Sequence, residues 1–158
     1  MVIDNFKATI SVKIRKFVMA IIAMLLIILC LMTELFKFWK DSQYHISFIV
    51  AGLFLLFVVF EYARNLHYFY FTNEGPKLIF RFYTMRIFQH VKKAVEIPVN
   101  TLYKFEINRG FAGFRTELVI YQKIDRKIVK YPAINISLLK KQEKTDLANT
   151  LKKHALEK

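Results

Sequence analysis

Residues that carry catalysis or bind metals are few in this chain, and they are widely spaced. The four histidines, His45, His67, His90 and His154, form no pair at metal-ligand spacing, and Cys30 is the single cysteine. A zinc site needs a cluster of nitrogen and sulfur ligands, and one cysteine cannot form an internal disulfide. The sequence therefore predicts no metal site and no cofactor.

Motifs for phosphate binding and for nucleophilic catalysis are not found either. The only Gly-x-x-Gly is Gly110-Phe111-Ala112-Gly113, and the Lys-Ser/Thr of a phosphate-binding loop does not follow it. No Gly-x-Ser-x-Gly elbow occurs. The carboxylates after residue 64 stand singly beside basic residues, as exposed strand charges do. We therefore expect a protein that is not an enzyme.

Basic residues are the more informative group. Lys and Arg number 25 against 12 Asp and Glu, a formal net charge of +13. Each Lys or Arg close to an anionic leaflet contributes about 1 kcal/mol of attraction. The candidate contacts with anionic headgroups are Lys77, Arg81, Arg86, Lys92 and Lys93. The alternative is solvated surface charge without a ligand. Nucleic acid is not an expected partner, because no recognition motif accompanies the charge.

Phe111 and Phe114 flank Ala112-Gly113 in an expected hairpin tip. Large apolar side chains on a loop are often covered by a neighbouring protein, by the bilayer surface or by the core of their own domain. Core packing is therefore one interpretation. The other makes Phe111 and Phe114 a candidate loop for protein or membrane contact.

Two long apolar segments distinguish this chain from an ordinary basic domain. Hydrophobic residues make up 55% of it, and the stretches Phe17–Thr33 and Ser42–Phe60 contain no charge. A spanning helix needs about 20 mostly apolar residues. Residues 17–62 are therefore predicted to form a transmembrane helical hairpin. The alternatives are buried helices of a bundle and, for the first segment, a signal peptide, although its apolar run exceeds a usual signal-peptide core.

The basic residues also predict an orientation for this hairpin. Residues 1–16 contain four Lys/Arg and one Asp, whereas the loop 34–45 contains two basic and two acidic residues. The segment from Arg64 onward contains nineteen Lys/Arg. The positive-inside rule therefore places residues 1–16 and both termini in the cytoplasm, with the short loop outside. On that topology the glycosylation sequon Asn135-Ile136-Ser137 is a chance match.

In residues 66–158 the long apolar runs are replaced by short segments, separated by residues typical of turns. Period-2 alternation and aromatic runs predict strands over His67–Thr72, Lys77–Phe82, Thr101–Ile107, Glu117–Ile124 and Lys127–Tyr131, with one or two more within Ile87–Val99. Leu147, Leu151 and Ala155 form one stripe of a helix over roughly residues 139–156. The pattern predicts a bent antiparallel sheet or barrel of six or seven strands, capped by the C-terminal helix.

Several short motifs resemble a known family. Two apolar helices precede Tyr70-Phe71-Thr72-Asn73-Glu74-Gly75, Arg81, Glu96-Ile97-Pro98-Val99 and Arg109-Gly110. This order resembles the bacterial pleckstrin-homology-like membrane proteins over roughly residues 15–155. The resemblance implies a pleckstrin-homology-like α+β domain in the cytoplasm. The chain departs from that pattern at Pro76 and in the longer stretch Tyr83–Ala94.

The expected function is that of a non-enzymatic inner-membrane adaptor or assembly protein. Its cytoplasmic domain would contact the membrane surface or other proteins. The expected partners are anionic lipids, without specificity, and other membrane proteins or further copies of this chain. The alternative is an accessory structural subunit of a larger membrane complex of the transporter or respiratory type.

Overall fold

The computed structural model describes residues 1–32, 42–85, 91–111 and 113–156, and these form three helices and eight strands. The chain divides into two compact units. We call Met1–Thr9 with Arg64–Lys158 the β domain, and Ile10–Ala63 the helical unit. The elements in chain order are β1 (Val2–Asp4), α1 (Phe6–Met32), α2 (Ser42–Arg64), β2 (His67–Thr72), β3 (Lys77–Thr84), β4 (Lys93–Pro98), β5 (Leu102–Gly110), β6 (Arg115–Ile124), β7 (Lys127–Lys130), β8 (Ile134–Asn135) and α3 (Lys141–His154).

The helical unit contains a segment able to cross a membrane by length and composition. Within the described residues one helix passes this test, over His45–Arg64, with a mean hydropathy of 2.3. Its apolar side chains are largely exposed within the chain, as lipid-facing residues are. In α1 the stretch from Phe17 to Met32 is also uncharged, but Lys7, Lys13, Arg15 and Lys16 precede it in the same helix.

An ion-pair group joins the two helices of this unit. Glu61 of α2 is only 5% exposed, and its carboxylate lies 3.2 Å from Arg15 Nη2 and 3.5 Å from Lys16 Nζ of α1. A buried carboxylate is stable in a weakly polar setting only when it is paired. Arg15 and Lys16, which precede the apolar stretch of α1, are therefore level with Glu61, which follows the apolar stretch of α2.

The first sheet of the β domain has the order β1-β2-β3-β4, with every pair antiparallel. Alternation along β2 and β3 turns one set of side chains to the core and the other outward. Phe69 and Phe71 pair with Phe82 and Phe80 on the inner face. β4 adds Val95 and Ile97 to that face, opposite Phe80 and Leu78, and β1 adds Ile3 opposite Phe71.

The second sheet consists of β5, β6 and β7, with β8 also paired to β6. One edge of β6 pairs with β5 from Arg115 to Gln122, and its other edge pairs with β8 at Glu117 and Leu118 and with β7 from Tyr121 to Ile124. Helix α3 packs Leu147 and Leu151 into the core formed by both sheets. Twelve side chains of this core are less than 2% exposed: Phe69, Phe71, Leu78, Phe80, Ile97, Leu102, Leu118, Ile120, Ile134, Ile136, Leu147 and Leu151.

The predicted sheet or barrel of six or seven strands is wrong. Eight strands form two antiparallel sheets of four strands each, and among the described residues no strand pairing joins β4 to β5. A 3₁₀ turn over Val99–Thr101 separates these two strands. The two additional strands, β1 and β8, have three and two residues. Such short strands leave no period-2 signal, and their pairing with β2 and β6 is a long-range property.

The outer face of the first sheet is rich in tyrosine. Tyr68 and Tyr83 are opposite each other and stack with ring centroids 4.8 Å apart, and Arg81 lies over the Tyr70 ring. Burial, and secondarily the neighbouring Asp4 carboxylate, raises the pKa of Tyr68 from 10.0 to about 12. The phenol of Tyr68 is therefore held neutral where an ordinary tyrosine ionises.

This shift predicts a pH dependence of stability. Below pH 10 Tyr68 is neutral in the folded and the unfolded chain. As the pH rises from 10 towards 12 the unfolded chain ionises first, so the stabilising contribution is lost over that range. We expect Asp4→Asn to lower the pKa of Tyr68 but to leave it above 10, because burial is the larger cause. Phenolate absorbance, with Tyr68→Phe to assign the signal, measures the change; an unchanged titration would contradict the contact with Asp4.

Candidate functional site: the helix-proximal end of the β domain

A buried asparagine organises the place where the chain leaves α2. Asn135 of β8 is 1% exposed. Its Nδ2 donates to the backbone carbonyls of Arg64, at 2.7 Å, and of Asn65, at 2.9 Å. Its Oδ1 accepts from the backbone N–H of Ser137 at 2.9 Å. A single side chain therefore bonds the carbonyl of the last residue of α2 and that of the residue that follows it, where the helix provides no partner.

A second buried asparagine forms several hydrogen bonds where the chain enters α1. Asn5 is 3% exposed and precedes α1 directly. Its Oδ1 accepts from the backbone N–H of Phe69 at 2.9 Å and from the Thr9 hydroxyl at 3.2 Å, and its Nδ2 donates to the His67 carbonyl at 3.2 Å. The start of α1 is thus tied to β2.

His67 links the two asparagines. Its Nδ1 accepts the backbone N–H of Asn135 at 2.9 Å, and its Nε2 lies 3.1 Å from Thr84 Oγ1. Because Nδ1 is an acceptor, the hydrogen-bond network assigns the ring proton of neutral His67 to Nε2. The network of Asn5, His67 and Asn135 therefore fixes both chain connections to the helical unit at one point of the β domain. We call this region the helix-proximal end.

Strand topology places the start of β4 at the helix-proximal end. The backbone N–H of Met85 donates to the Leu66 carbonyl at 2.9 Å, so β3 finishes beside the residues that follow α2. β4 then starts at Lys93, opposite Phe82. Val91, Lys92 and Lys93 are all exposed. Two cations and one aliphatic side chain therefore lie at the helix-proximal end of the first sheet.

The tip of the β5–β6 hairpin lies at the same end. Glu117 pairs with Asn135, the residue that holds Arg64, and Phe114 precedes Glu117 by three residues. Three residues of extended chain span roughly 10 Å. Phe111 is 47% exposed and Phe114 56% exposed, with ring centroids 6.4 Å apart in an edge-to-face pair. Left-handed backbone at Phe111 (φ 49°) and Gly113 (φ 87°) reverses the chain here.

Three cations surround the base of this tip. Arg109 pairs with Thr116 across the hairpin, and Arg115 is ion-paired with Glu117. Lys144 of α3 donates to the Ser137 carbonyl at 3.3 Å, and the Ser137 hydroxyl accepts from the backbone N–H of Thr116. Burial, and secondarily the charge of Arg109, lowers the pKa of Lys144. The tip is therefore an exposed aromatic pair above a cluster with a net positive charge.

The structure separates the cations that the sequence groups together. Lys92 and Lys93 lie at the helix-proximal end. Lys77 starts β3 at the opposite end of the sheet, opposite Pro98, and pairs with Glu96 at 3.3 Å. Arg81 is in the middle of the outer face, over Tyr70. Arg86 lies outside the described residues. The four cations that the structure describes thus do not form a single contact surface.

Core packing of Phe111 and Phe114, one of the two interpretations of the sequence, is wrong, because both rings are about half exposed. The residues that sequence reasoning missed are Asn5 and Asn135. A lone asparagine carries no motif, and the one signal at Asn135 was a glycosylation sequon, which points to an exposed loop rather than to a buried strand.

The described residues offer little for catalysis. Among them no group of three His, Cys, Asp or Glu side chains is placed to hold a metal ion. A surface cavity of about 320 Å³ lies at the start of α1, lined by residues that include Asp4, Lys7, Lys140 and Glu143. Asp4 already accepts the backbone N–H of Phe6 there, at 2.9 Å.

Comparison of the chain with protein-family models, with curated proteins and with solved structures finds no match. The resemblance to bacterial pleckstrin-homology-like membrane proteins therefore stays a prediction.

Proposed function

We propose that this protein is a membrane-anchored, non-enzymatic adaptor of a bacterial inner membrane. Its two N-terminal helices form the anchor. Its β domain lies in the cytoplasm and binds other membrane components there. The observation that carries the proposal is the network of Asn5, His67 and Asn135. It binds the segment that enters α1 and the segment that leaves α2 into one buried site of the β domain.

The ion-pair group of Arg15, Lys16 and Glu61 supports α1 as a second membrane span beside α2. Arg15 and Lys16 precede the uncharged stretch of α1, and Glu61 follows that of α2. Paired charges at one level are expected where two antiparallel spans meet the same membrane interface, because an unpaired charge is costly deeper in the bilayer. The basic residues 1–16 and the basic β domain then share the cytoplasmic side.

Extraction and native mass spectrometry of the tagged full-length protein test the proposal. An anchored adaptor stays in the membrane pellet after an alkaline carbonate wash. In mild detergent it retains another membrane protein, or a second copy, at a fixed ratio. Release by carbonate would contradict the anchor, and a monomer that carries only lipid would contradict the adaptor.

A variant separates these two parts of the proposal. Phe80→Ala removes a core ring of the β domain and changes nothing in the helical unit. We expect this variant to remain in the carbonate-washed membrane and to lose the retained protein partner. Retention of the partner by this variant under conditions where its β domain has lost protease resistance would place the contact in the helices rather than in the β domain.

A further inference from the structure

We propose that the tip of the β5–β6 hairpin inserts Phe111 and Phe114 into the headgroup region of an anionic bilayer. This inference rests on the proposed membrane anchor and adds a second, independent contact between the protein and lipid. The partner proposed for the aromatic pair is lipid and not a protein.

Location is the first argument for lipid. Asn135 holds the end of α2 and pairs with Glu117 beside the tip, so the tip and the end of the candidate span belong to the same end of the β domain. Lys92 and Lys93 lie at this end as well. The chain passes from the candidate span into the β domain at this end, through Arg64.

Chemistry is the second argument. The tip combines exposed phenyl rings with Arg109, Arg115 and Lys144 at its base, against the single carboxylate of Glu117. Aromatic rings favour the interface between acyl chains and headgroups, and cations next to them are attracted by anionic headgroups. Burial of an exposed phenyl ring adds a favourable apolar contribution.

The opposite end of β6 supplies a matched control. Strand β7, directly after the β6–β7 turn, exposes Ile128, at 52%, among the cations Lys127 and Lys130. Its composition is similar to that of the tip, but it lies at the far end of a ten-residue strand, roughly 30 Å away. Contact driven by composition alone would involve both hairpins, whereas contact set by the fold involves only the tip.

The test places a tryptophan at each position in the full-length protein. The single tryptophan is first removed by Trp39→Phe, and Phe114→Trp or Ile128→Trp is then added. Each variant is reconstituted in nanodiscs of phosphatidylcholine and phosphatidylglycerol whose acyl chains carry bromine, a quencher of short range. We expect quenching at position 114 to be several-fold stronger than at position 128, and to decrease when phosphatidylglycerol is left out.

Equal quenching at the two positions, weak or strong, would overturn the proposal, and quenching at 114 that does not depend on phosphatidylglycerol would overturn the part assigned to the cations. Phe111→Trp gives a second probe if Phe114→Trp does not fold. Carbonate extraction of the same variants distinguishes the two failures. Release from the membrane means that the anchor is wrong, whereas retention with equal quenching means that only the tip contact is wrong.

Discussion

Replacing Asn135 by Ala is expected to destabilise the β domain by about 2–4 kcal/mol. The side chain makes three hydrogen bonds of 2.7 to 2.9 Å in a site that is 1% exposed. Its removal takes one hydrogen-bond partner from each of two backbone carbonyls and one backbone N–H in a partly buried site, and a buried group that loses its partner costs about 1–3 kcal/mol. Because a domain of this size has a stability of about 5–15 kcal/mol, the loss is a large part of the total.

Urea unfolding of the full chain in detergent, followed by protease resistance of the β domain, measures this change. Asn149→Ala is the matched control, because Asn149 is an exposed asparagine of α3 and its loss should change stability by less than about 1 kcal/mol. Asn135→Asp adds a second readout. Its carboxylate oxygen would face the Arg64 and Asn65 carbonyls, so we expect this variant to be less stable at neutral pH than at acid pH. A loss below about 1 kcal/mol for Asn135→Ala would contradict the role of the network.

Replacing Phe80 by Ala is expected to cost about 3–5 kcal/mol, the usual range for a buried phenyl ring. Phe80 is fully buried in β3, and its ring centroid lies 5.0 Å from that of Phe71 and 6.5 Å from that of Phe69. The substitution removes the ring that joins the two phenylalanines of β2, and the surrounding sheet can fill the cavity only in part.

The same unfolding experiment tests this prediction, with Ile128→Ala as the control. Ile128 is an exposed aliphatic residue of the edge strand β7, so its truncation should cost less than about 1 kcal/mol. Similar losses for Phe80→Ala and Ile128→Ala would mean that the inner face of the first sheet does not form the core.

Local pattern was sufficient for the elements that carry the core. An aromatic run predicted a strand over His67–Thr72 and alternation predicted one over Lys77–Phe82; both are confirmed, the second with two further residues. The helical stripe of Leu147 and Leu151 is confirmed in α3. These predictions succeeded because a period of two or of 3.6 residues is written directly in the apolar positions.

Pairing between distant residues was not predictable in the same way. β1 and β8 are too short to show a period. Yet β1 pairs the N-terminal residues with β2 of the same domain, and β8 contains Asn135. The division into two sheets follows from which strands pair, and no residue pattern records it. The same holds for the cations. Lys77 and Lys93 are both candidate contacts in the sequence, and only the register of β3 and β4 places them at opposite ends of the sheet.

The central claim is that two spans hold the β domain on the cytoplasmic side of the membrane, and thiol labelling tests it most directly. In a Cys30→Ser background, Lys37→Cys places one thiol in the predicted outer loop and Arg126→Cys places one in the exposed β6–β7 turn. A membrane-impermeant maleimide added to intact spheroplasts should label position 37, and should label position 126 only after lysis. Labelling of position 126 in intact spheroplasts, or of position 37 only after lysis, would contradict the account.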